Sequence, residues 1–406
     1  MTSRKHLDSI CDSFARRIGY QFSLCIALVF ATVSTTFAGP TEREQAFRIH
    51  NRLAGVPPSE TVLTAMEADL NGPNPDPIAA ARTAMDNPNF YTVTVKNFAA
   101  PWTNRDQTVF VPLNDYTTLV IGMVKDGVPF TEILSADLLY RHTGQQGLPS
   151  PNSNAYYENL EQAMLQPGFD PQTEIVATTQ SAAYGTPTQA TAGVMTTRAA
   201  AEAFFIAGTN RAMFRFTLMN HMCTDLEGVH DTTIVPDRIR QDVSRSPGGD
   251  SRVFMNNCIG CHSGMDPLAQ AFAYYDYDEV LGRMLYTGGT VASKYFNNDT
   301  TFEDGFITPD DSWNNYWRVG QNANLGWDIN LPGNGAGAKT LGQELAATQA
   351  FAQCQVTKVF RNVCLRNPVD APDRAVVATM TGNFTGAYGY DLKEVFAASA
   401  AYCMGN

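Results

Sequence analysis

The sequence predicts a mainly α-helical, multidomain protein with long ordered loops. With 406 residues the chain exceeds one ordinary domain of roughly 100–200 residues, so we expect two or three domains. Apolar residues make up 44% of the chain and charged residues only 17%, which supports a hydrophobic core and argues against wholesale disorder. Helical spacing of apolar residues recurs towards both ends, whereas two stretches between them are rich in turn-forming residues.

The first part of the chain reads as mostly helical up to residue 137. Gly55 and Pro57 are stop signals after the first helix, and Ser59 followed by Glu60 starts the second. The segment 116–124 is apolar and β-branched enough to suit a strand, but we favour a helix there. The predicted helices cover residues 41–53, 59–70, 77–85, 116–124 and 129–136.

The rest of the chain alternates between irregular and helical stretches. Residues 140–190 show little periodicity, and residues 276–337 are rich in Asn, Asp and Gly, which indicates ordered loops with short helices. Thr308 followed by Pro309 and two acids has the pattern of a helix start. The predicted helices of this part cover residues 196–220, with 211–219 as their second part, 339–365 as the longest, 373–380 and 392–400.

The N-terminal stretch 1–38 has the three parts of a secretory signal peptide. Basic residues that include Arg16 and Arg17 precede an apolar run at 22–33, and small residues end at Ala38. The run is well short of the roughly 20 residues that span a bilayer, which argues against a membrane anchor. We predict cleavage after Ala38 and a periplasmic or secreted protein, with no transmembrane span in the mature chain.

The chain is acidic, and cleavage makes it more so. The formal net charge is −12 for the whole chain, and residues 39–406 hold 24 basic and 38 acidic residues, which gives −14. Without a basic surface to meet phosphates, nucleic acid is excluded as a partner. A basic partner protein would be steered favourably, although the acidity can also serve solubility alone.

One short motif carries the chemistry of this sequence. Cys258-Ile-Gly-Cys261-His262 is a C-x-x-C-H segment, the attachment motif of c-type haem. Two thiols about one helical turn apart can add to the two vinyl groups of one porphyrin edge. His262 then lies under the iron as the proximal ligand. A zinc site would need a second ligand pair, and a thioredoxin-type site a β-α-β pattern, and the sequence offers neither. We therefore predict one covalent haem c.

The cysteines outside this motif predict two disulfides. Six cysteines follow the signal peptide, and an even number remains after haem attachment in an oxidising compartment. Cys354 and Cys364 lie on one predicted helix about 15 Å apart by helical rise. That distance is too long for a disulfide. Each is expected to pair with Cys223 or Cys403, which leaves two connectivities open.

The ligand on the other face of the iron is less well defined by the sequence. Met284 is the first candidate, with Met380 and His230 as weaker ones, since methionine there raises the reduction potential and favours electron transfer. An empty position would instead allow chemistry on peroxide or other small ligands. On the proximal side, Pro267 is expected to position a carbonyl that accepts the ring N–H of His262.

The segments around the motif resemble those of the planctomycete-type cytochrome c proteins. These are large exported proteins in which C-x-x-C-H is followed by Met/Val-Asp-Pro. The resemblance implies a mainly helical, multidomain cytochrome and does not supply a reaction. This chain is shorter than usual and lacks the proline run that commonly follows the cysteine matching Cys223. The matching segments are 129–137, 192–196, 220–223, 258–267, 351–354 and 388–395.

These observations together predict the organisation and the function. We expect an N-terminal helical domain with an irregular tail at 41–190, a haem c module at 191–300 and a C-terminal helical domain at 301–406. The expected function is one-electron transfer to or from a periplasmic redox partner. A haem enzyme of the peroxidase type and a haem-stabilised binding or assembly module are the alternatives, and a stand-alone enzyme is the less favoured reading.

Overall fold

The computed structural model describes residues 41–206, 208–296 and 300–405, and the predicted signal peptide with its cleavage site lies outside these ranges. Within them helices dominate, so the predicted mainly α class is confirmed. None of the described helices combines the length and the hydropathy needed to cross a bilayer. The α-helices are α1 (Glu42–Ala54), α2 (Glu60–Leu70), α3 (Pro77–Met85), α4 (Lys96–Ala99), α5 (Asp115–Asp126), α6 (Ala155–Met164), α7 (Pro171–Glu174), α8 (Gln180–Tyr184), α9 (Arg198–Phe204), α10 (Arg211–Met222), α11 (Ser251–Val253), α12 (Ile259–Ala269), α13 (Gly337–Ala346), α14 (Gln349–Cys364), α15 (Ala371–Thr385) and α16 (Leu392–Tyr402).

Short elements connect these helices. Two π-helical segments occur, Phe90–Val95 and Phe254–Cys258, and the helix predicted at 129–136 is a 3₁₀ turn over Phe130–Leu134. Three antiparallel pairs of strands are β1 (Leu139–His142) with β2 (Ile175–Thr178), β3 (Tyr275–Asp278) with β4 (Arg283–Tyr286), and β5 (Ser312–Asn314) with β6 (Asn334–Ala336). The other 3₁₀ turns are Ala100–Thr103, Thr188–Ala190, Gly193–Thr196, Leu226–Val229, Pro247–Gly249, Gln270–Phe272, Ser293–Phe296, Tyr316–Arg318 and Gly320–Leu325.

The N-terminal helices form where the sequence predicts them, because their ends are capped locally. The Ser59 hydroxyl accepts a hydrogen bond from the backbone N–H of Val62 and starts α2. Asp76 caps α3 in the same way, with Pro77 at the first helical position. Helices α1, α2 and α3 pack on one another, and α3 also packs on α16.

The predicted long helix at 339–365 is wrong as a single element. It is divided into α13 and α14 by Ala347 and Thr348. The Thr348 backbone is extended, and its hydroxyl accepts from the N–H of Phe351, so a new helix starts there. The capping threonine is visible in the sequence, but the apolar pattern continues across it and conceals the break.

The predicted irregular stretch at 140–190 is only partly correct. Strands β1 and β2 pair across it, with His142 opposite Ile175, and helix α6 lies between them. The pairing joins residues more than thirty positions apart. Four-residue strands of this kind have no local signature, because their stability comes from the cross-strand partner.

The predicted helix start at Thr308 is wrong, and strand β5 follows at Ser312. The Thr308 hydroxyl accepts a hydrogen bond from the buried Arg240 guanidinium, so it does not act as a helix cap. The Asp310 carboxylate accepts a hydrogen bond from the backbone N–H of Ser312, with 2.9 Å between Oδ1 and N. Trp313 then pairs with Gly335 in the β5–β6 ladder. The local capping pattern is overridden here by tertiary contacts.

One apolar core runs through all three predicted domains. Its buried members include Ala46 near the start of the described chain, Phe272 shortly after the C-x-x-C-H motif and Phe396 in α16. The predicted domain boundaries at 190 and 300 stay a prediction, but the segments on either side of them share this core.

Two disulfides join the helices around α14, as the sequence predicted. Cys223 at the end of α10 pairs with Cys354, and Cys364 pairs with Cys403 at the end of α16. Cys354 and Cys364 both lie on α14, which is why they do not pair with each other. Of the two open connectivities, the structure therefore selects this one.

The two disulfides are expected to stabilise the fold unequally. They close loops with sequence separations of 131 and 39 residues. Loop-closure entropy then predicts a larger loss of unfolding free energy, by about 1 kcal/mol, for Cys223→Ser/Cys354→Ser than for Cys364→Ser/Cys403→Ser. Urea unfolding of both double variants and the parent measures this. An equal or reversed order would show that loop closure is not the main contribution.

Candidate functional site

The C-x-x-C-H motif begins where a π-helical segment passes into α12. The π segment is Phe254–Cys258, and Cys258 occupies the N-cap position of α12. Cys261 and His262 follow within the first turn of α12. The local α-helix thus brings both thiols and the imidazole to one side of α12, because positions three and four apart share a helix face. A π bulge of this kind is often found beside functional residues.

The motif side chains lie on the accessible side of α12. Cys258, Cys261 and His262 are all partly exposed, whereas Gly260 and Ser263 are buried. Both thiols are free, and the Cys261 sulfur lies 3.5 Å from the carbonyl oxygen of Leu226. Burial raises the pKa of the Cys261 thiol, and nearby carboxylates add to that rise. Two reduced thiols and one imidazole are therefore presented together.

The opposite side of α12 requires glycine at two positions. A Cβ on Gly264 would lie 1.9 Å from the indole nitrogen of Trp317, and one on Gly260 would lie 2.6 Å from Nε2 of His230. Real side chains do not approach so closely, so a larger residue at either position would force α12 or the ring to shift. The two glycines allow the backbone of α12 to pack closely against these rings. The side of α12 that carries Cys258, Cys261 and His262 then faces away from them.

His262 is held by a carboxylate one helical turn further on. Its Nδ1 lies 3.1 Å from Oδ1 and 3.2 Å from Oδ2 of Asp266. The expected acceptor was a backbone carbonyl positioned by Pro267, and the structure corrects this to the Asp266 side chain. Nε2 of His262 has no hydrogen bond to any part of the chain that the structure describes. One ring nitrogen is thus anchored and the other is left for a ligand.

Asp266 is the centre of a buried group of charges. Its side chain is fully buried, and Arg211 donates to both of its oxygens, at 2.7 Å from Nε and 3.0 Å from Nη2. Arg211 also forms two bonds to Asp242, at 2.6 and 2.8 Å, and Arg240 donates to the Asp266 backbone carbonyl at 3.0 Å. Burial by itself would raise the pKa of Asp266. Arg211, with His262 and Arg240, outweighs burial and holds that pKa well below its usual range.

A small apolar cluster adjoins the first cysteine. Phe254, Ile239, Val243 and Ile259 are buried together, and Cys258 packs against them. Phe254 is therefore next to Cys258. Its ring is also covered by the Arg245 guanidinium at 4.9 Å. An apolar edge beside the thiols suits a large planar ligand.

The candidate distal ligands lie in three different places. Met284 is on β4, opposite Tyr277, and this strand packs on β3 and α9. Met380 is buried in α15, where its sulfur accepts from the Ser399 hydroxyl at 3.6 Å. His230 packs against Gly260, which is two residues and about 200° of helical rotation from His262. Its ring therefore lies behind the motif side of α12, and Met284 stays a prediction.

Sequence reasoning identified Cys258, Cys261 and His262 as one candidate site but missed the residues that hold His262. Asp266 stands four residues after His262, a spacing at which helical side chains meet, and this signal was available. Arg211 and Asp242 are 55 and 24 residues away in sequence from Asp266. No local pattern links them, because α10 and the loop before α11 reach α12 only in the folded chain.

Comparisons of the chain with protein-family models, with curated proteins and with solved structures find no match in any of the three. The resemblance to planctomycete-type cytochrome c proteins accordingly stays an interpretation of the sequence motifs.

The close approach of Gly264 to Trp317 predicts a strong effect of one methyl group. Gly264→Ala is expected to lower the free energy of unfolding by about 1–3 kcal/mol, because α12 must shift to admit the Cβ. Gly382→Ala in α15 is the matched control, since its Cβ would meet no atom within 4 Å and should stabilise by about 0.4–1 kcal/mol. Thermal or urea unfolding compares the two, and equal stabilities would contradict the packing described.

Proposed function

We propose that this chain is an exported mono-haem c-type cytochrome that transfers single electrons to or from a periplasmic partner. The observation that carries the proposal is the arrangement on α12. Two free thiols three residues apart are followed by a histidine whose Nδ1 is anchored and whose Nε2 has no hydrogen bond to the described residues. This is the donor set that covalent haem attachment needs, with the imidazole in the tautomer that ligates through Nε2.

The residues of the site fit haem c in position as well as in type. Cys258 and Cys261 would form the two thioethers, and His262 would be the proximal ligand. The apolar group around Phe254 adjoins Cys258 at one end of the motif. When bound, the haem supplies a reversible one-electron couple. The chain itself fixes the imidazole through Asp266 and keeps the back of α12 closed with Gly260 and Gly264.

The compartment is supported by an independent feature. The pairs Cys223–Cys354 and Cys364–Cys403 are disulfides, whereas the motif thiols remain free. Disulfides are typical of exported proteins, and haem attachment to C-x-x-C-H also takes place outside the cytoplasm. The net charge of −14 after cleavage favours a redox partner with a basic docking surface.

A haem enzyme of the peroxidase type is the second candidate. The carboxylate on Nδ1 of His262 favours it, because such a contact raises the basicity of a proximal ligand. Carbon monoxide binding separates the two functions. A carrier whose two axial iron positions are both filled by side chains is not expected to respond, whereas an enzyme with one open axial position should bind the gas and show a shifted spectrum.

Covalent attachment is tested by removing both thiols. The parent protein should keep haem on the chain through a denaturing gel, and Cys258→Ala/Cys261→Ala should keep none, because both thioethers are then impossible. Gly382→Ala is the matched control and should retain the parent's haem content. Covalent haem in the double variant, or its absence from the parent when expressed with a haem-attachment system, would reject the proposal.

The distal ligand is tested by a second substitution. If Met284 ligates the iron, Met284→Leu removes the methionine–iron charge-transfer band of the oxidised protein and makes the haem accessible to carbon monoxide. Met380→Leu is the matched control and should leave the spectrum unchanged, because the Met380 sulfur already accepts from Ser399. An unchanged Met284→Leu spectrum would assign the distal position to another group or to none.

A further inference from the structure

Four charged side chains lie behind His262, and none of them belongs to the C-x-x-C-H motif. We call Arg211, Arg240, Asp242 and Asp266 the Arg–Asp cluster. Its charges balance, with two guanidinium groups and two carboxylates. The Asp266 side chain is completely buried and Asp242 nearly so. Such a cluster is expensive to desolvate, and its members need well-formed partners to be tolerated.

The cluster defines where the imidazole proton is. Both oxygens of Asp266 receive hydrogen bonds from Arg211, so the carboxylate is held ionised and can only accept. Nδ1 of His262, within 3.2 Å of the same two oxygens, must then be the donor. In the neutral imidazole the remaining nitrogen, Nε2, then carries the lone pair.

The contacts also show that Arg211 has a carboxylate partner besides Asp266. Asp242 already pairs with Arg211 through two hydrogen bonds. Arg240 uses the backbone carbonyl of Asp266 and leaves its carboxylate to Arg211 and His262. Asp266, the second carboxylate that pairs with Arg211, therefore also reaches the imidazole of His262.

We infer that Asp266 is a positioning residue that orients His262 and increases the electron donation of its imidazole, so that the reduction potential of the haem is lowered. This inference rests on the proposed function, since it assigns a role towards the haem. A histidine that donates its outer N–H to an anionic acceptor is a stronger ligand and favours ferric iron. Arg211 limits the effect, because its two bonds to Asp266 keep the proton on the imidazole.

The proximal side therefore opposes the effect of a methionine on the distal side, which raises the potential. The chain is suited to a centre of lower potential than a methionine-ligated cytochrome whose histidine donates to a neutral carbonyl. A redox partner that accepts electrons from this haem can then have a lower reduction potential than an acceptor of a methionine-ligated cytochrome of that kind.

The test compares two carboxylate substitutions in the haem-loaded, full-length protein. Asp266→Asn removes the charge that touches His262. Asp242→Asn removes an equal charge of the same cluster, whose hydrogen bonds within the described residues go to Arg211 and Thr209. Both are expected to retain covalent haem. Asp266→Asn should raise the reduction potential by at least 59 mV, a tenfold change in the equilibrium for one electron. Asp242→Asn should shift it by less than half as much.

Equal shifts in the two variants, or no shift in Asp266→Asn, would overturn the inference while leaving the haem proposal intact. A parent protein without covalent haem would instead reject the proposed function. A second measurement needs no substitution in the cluster. In the haem-free Cys258→Ala/Cys261→Ala protein with ¹⁵N-labelled histidine, His262, assigned with His262→Gln, should carry its proton on Nδ1. A proton on Nε2 would overturn the inference even if Asp266→Asn does not fold.

Discussion

The contact between Arg211 and Asp266 is the constraint on which the rest of the site depends. It joins the first turn of α10 to the middle of α12, and Asp266 is fully buried while Arg211 is partly buried. A buried ion pair of this kind adds little net stability, but removal of one partner commonly costs about 3–5 kcal/mol. Here loss of the Asp266 charge would leave two guanidinium groups facing one carboxylate. The pair therefore acts mainly by specifying one orientation of α12. The direction of His262 follows from that orientation.

Helix α10 transmits this constraint to the C-terminal part of the chain. Its first residue, Arg211, contacts Asp266, and Cys223 directly after its last turn is bonded to Cys354 on α14. Helix α14 is joined in turn to α16 through Cys364 and Cys403. A covalent path thus runs from the end of α10 to the C-terminal helix, with the motif helix packed on α10. Helix packing around the motif is accordingly fixed by one core and two cross-links.

The back of α12 shows why the motif can face outward. Gly260 and Gly264 allow His230 and Trp317 to touch the helix backbone, so that one side is closed by rings and the other keeps Cys258, Cys261 and His262 accessible. A tight rear contact and an open front are what covalent attachment of a large planar group requires. The proposed function relies on the difference between these two sides of α12. Asp266, which contacts the His262 imidazole, lies where the open side meets the closed one.

The sequence by itself determined the helical class, the C-x-x-C-H motif and the candidates for disulfide pairing. These depend on local properties: apolar spacing, the caps at Ser59 and Asp76, and the three-residue spacing of the thiols. Only the tertiary structure decided the break at Thr348, the β1–β2 pairing and the partner of Cys223. It also replaced the expected carbonyl by the Asp266 carboxylate and brought Arg211 to it. The physical reason is that the β1–β2 pairing, the partner of Cys223 and the contact of Arg211 need partners distant in sequence, which leave no mark on the local pattern. The Thr348 cap is local, but the apolar pattern that continues across it conceals the break.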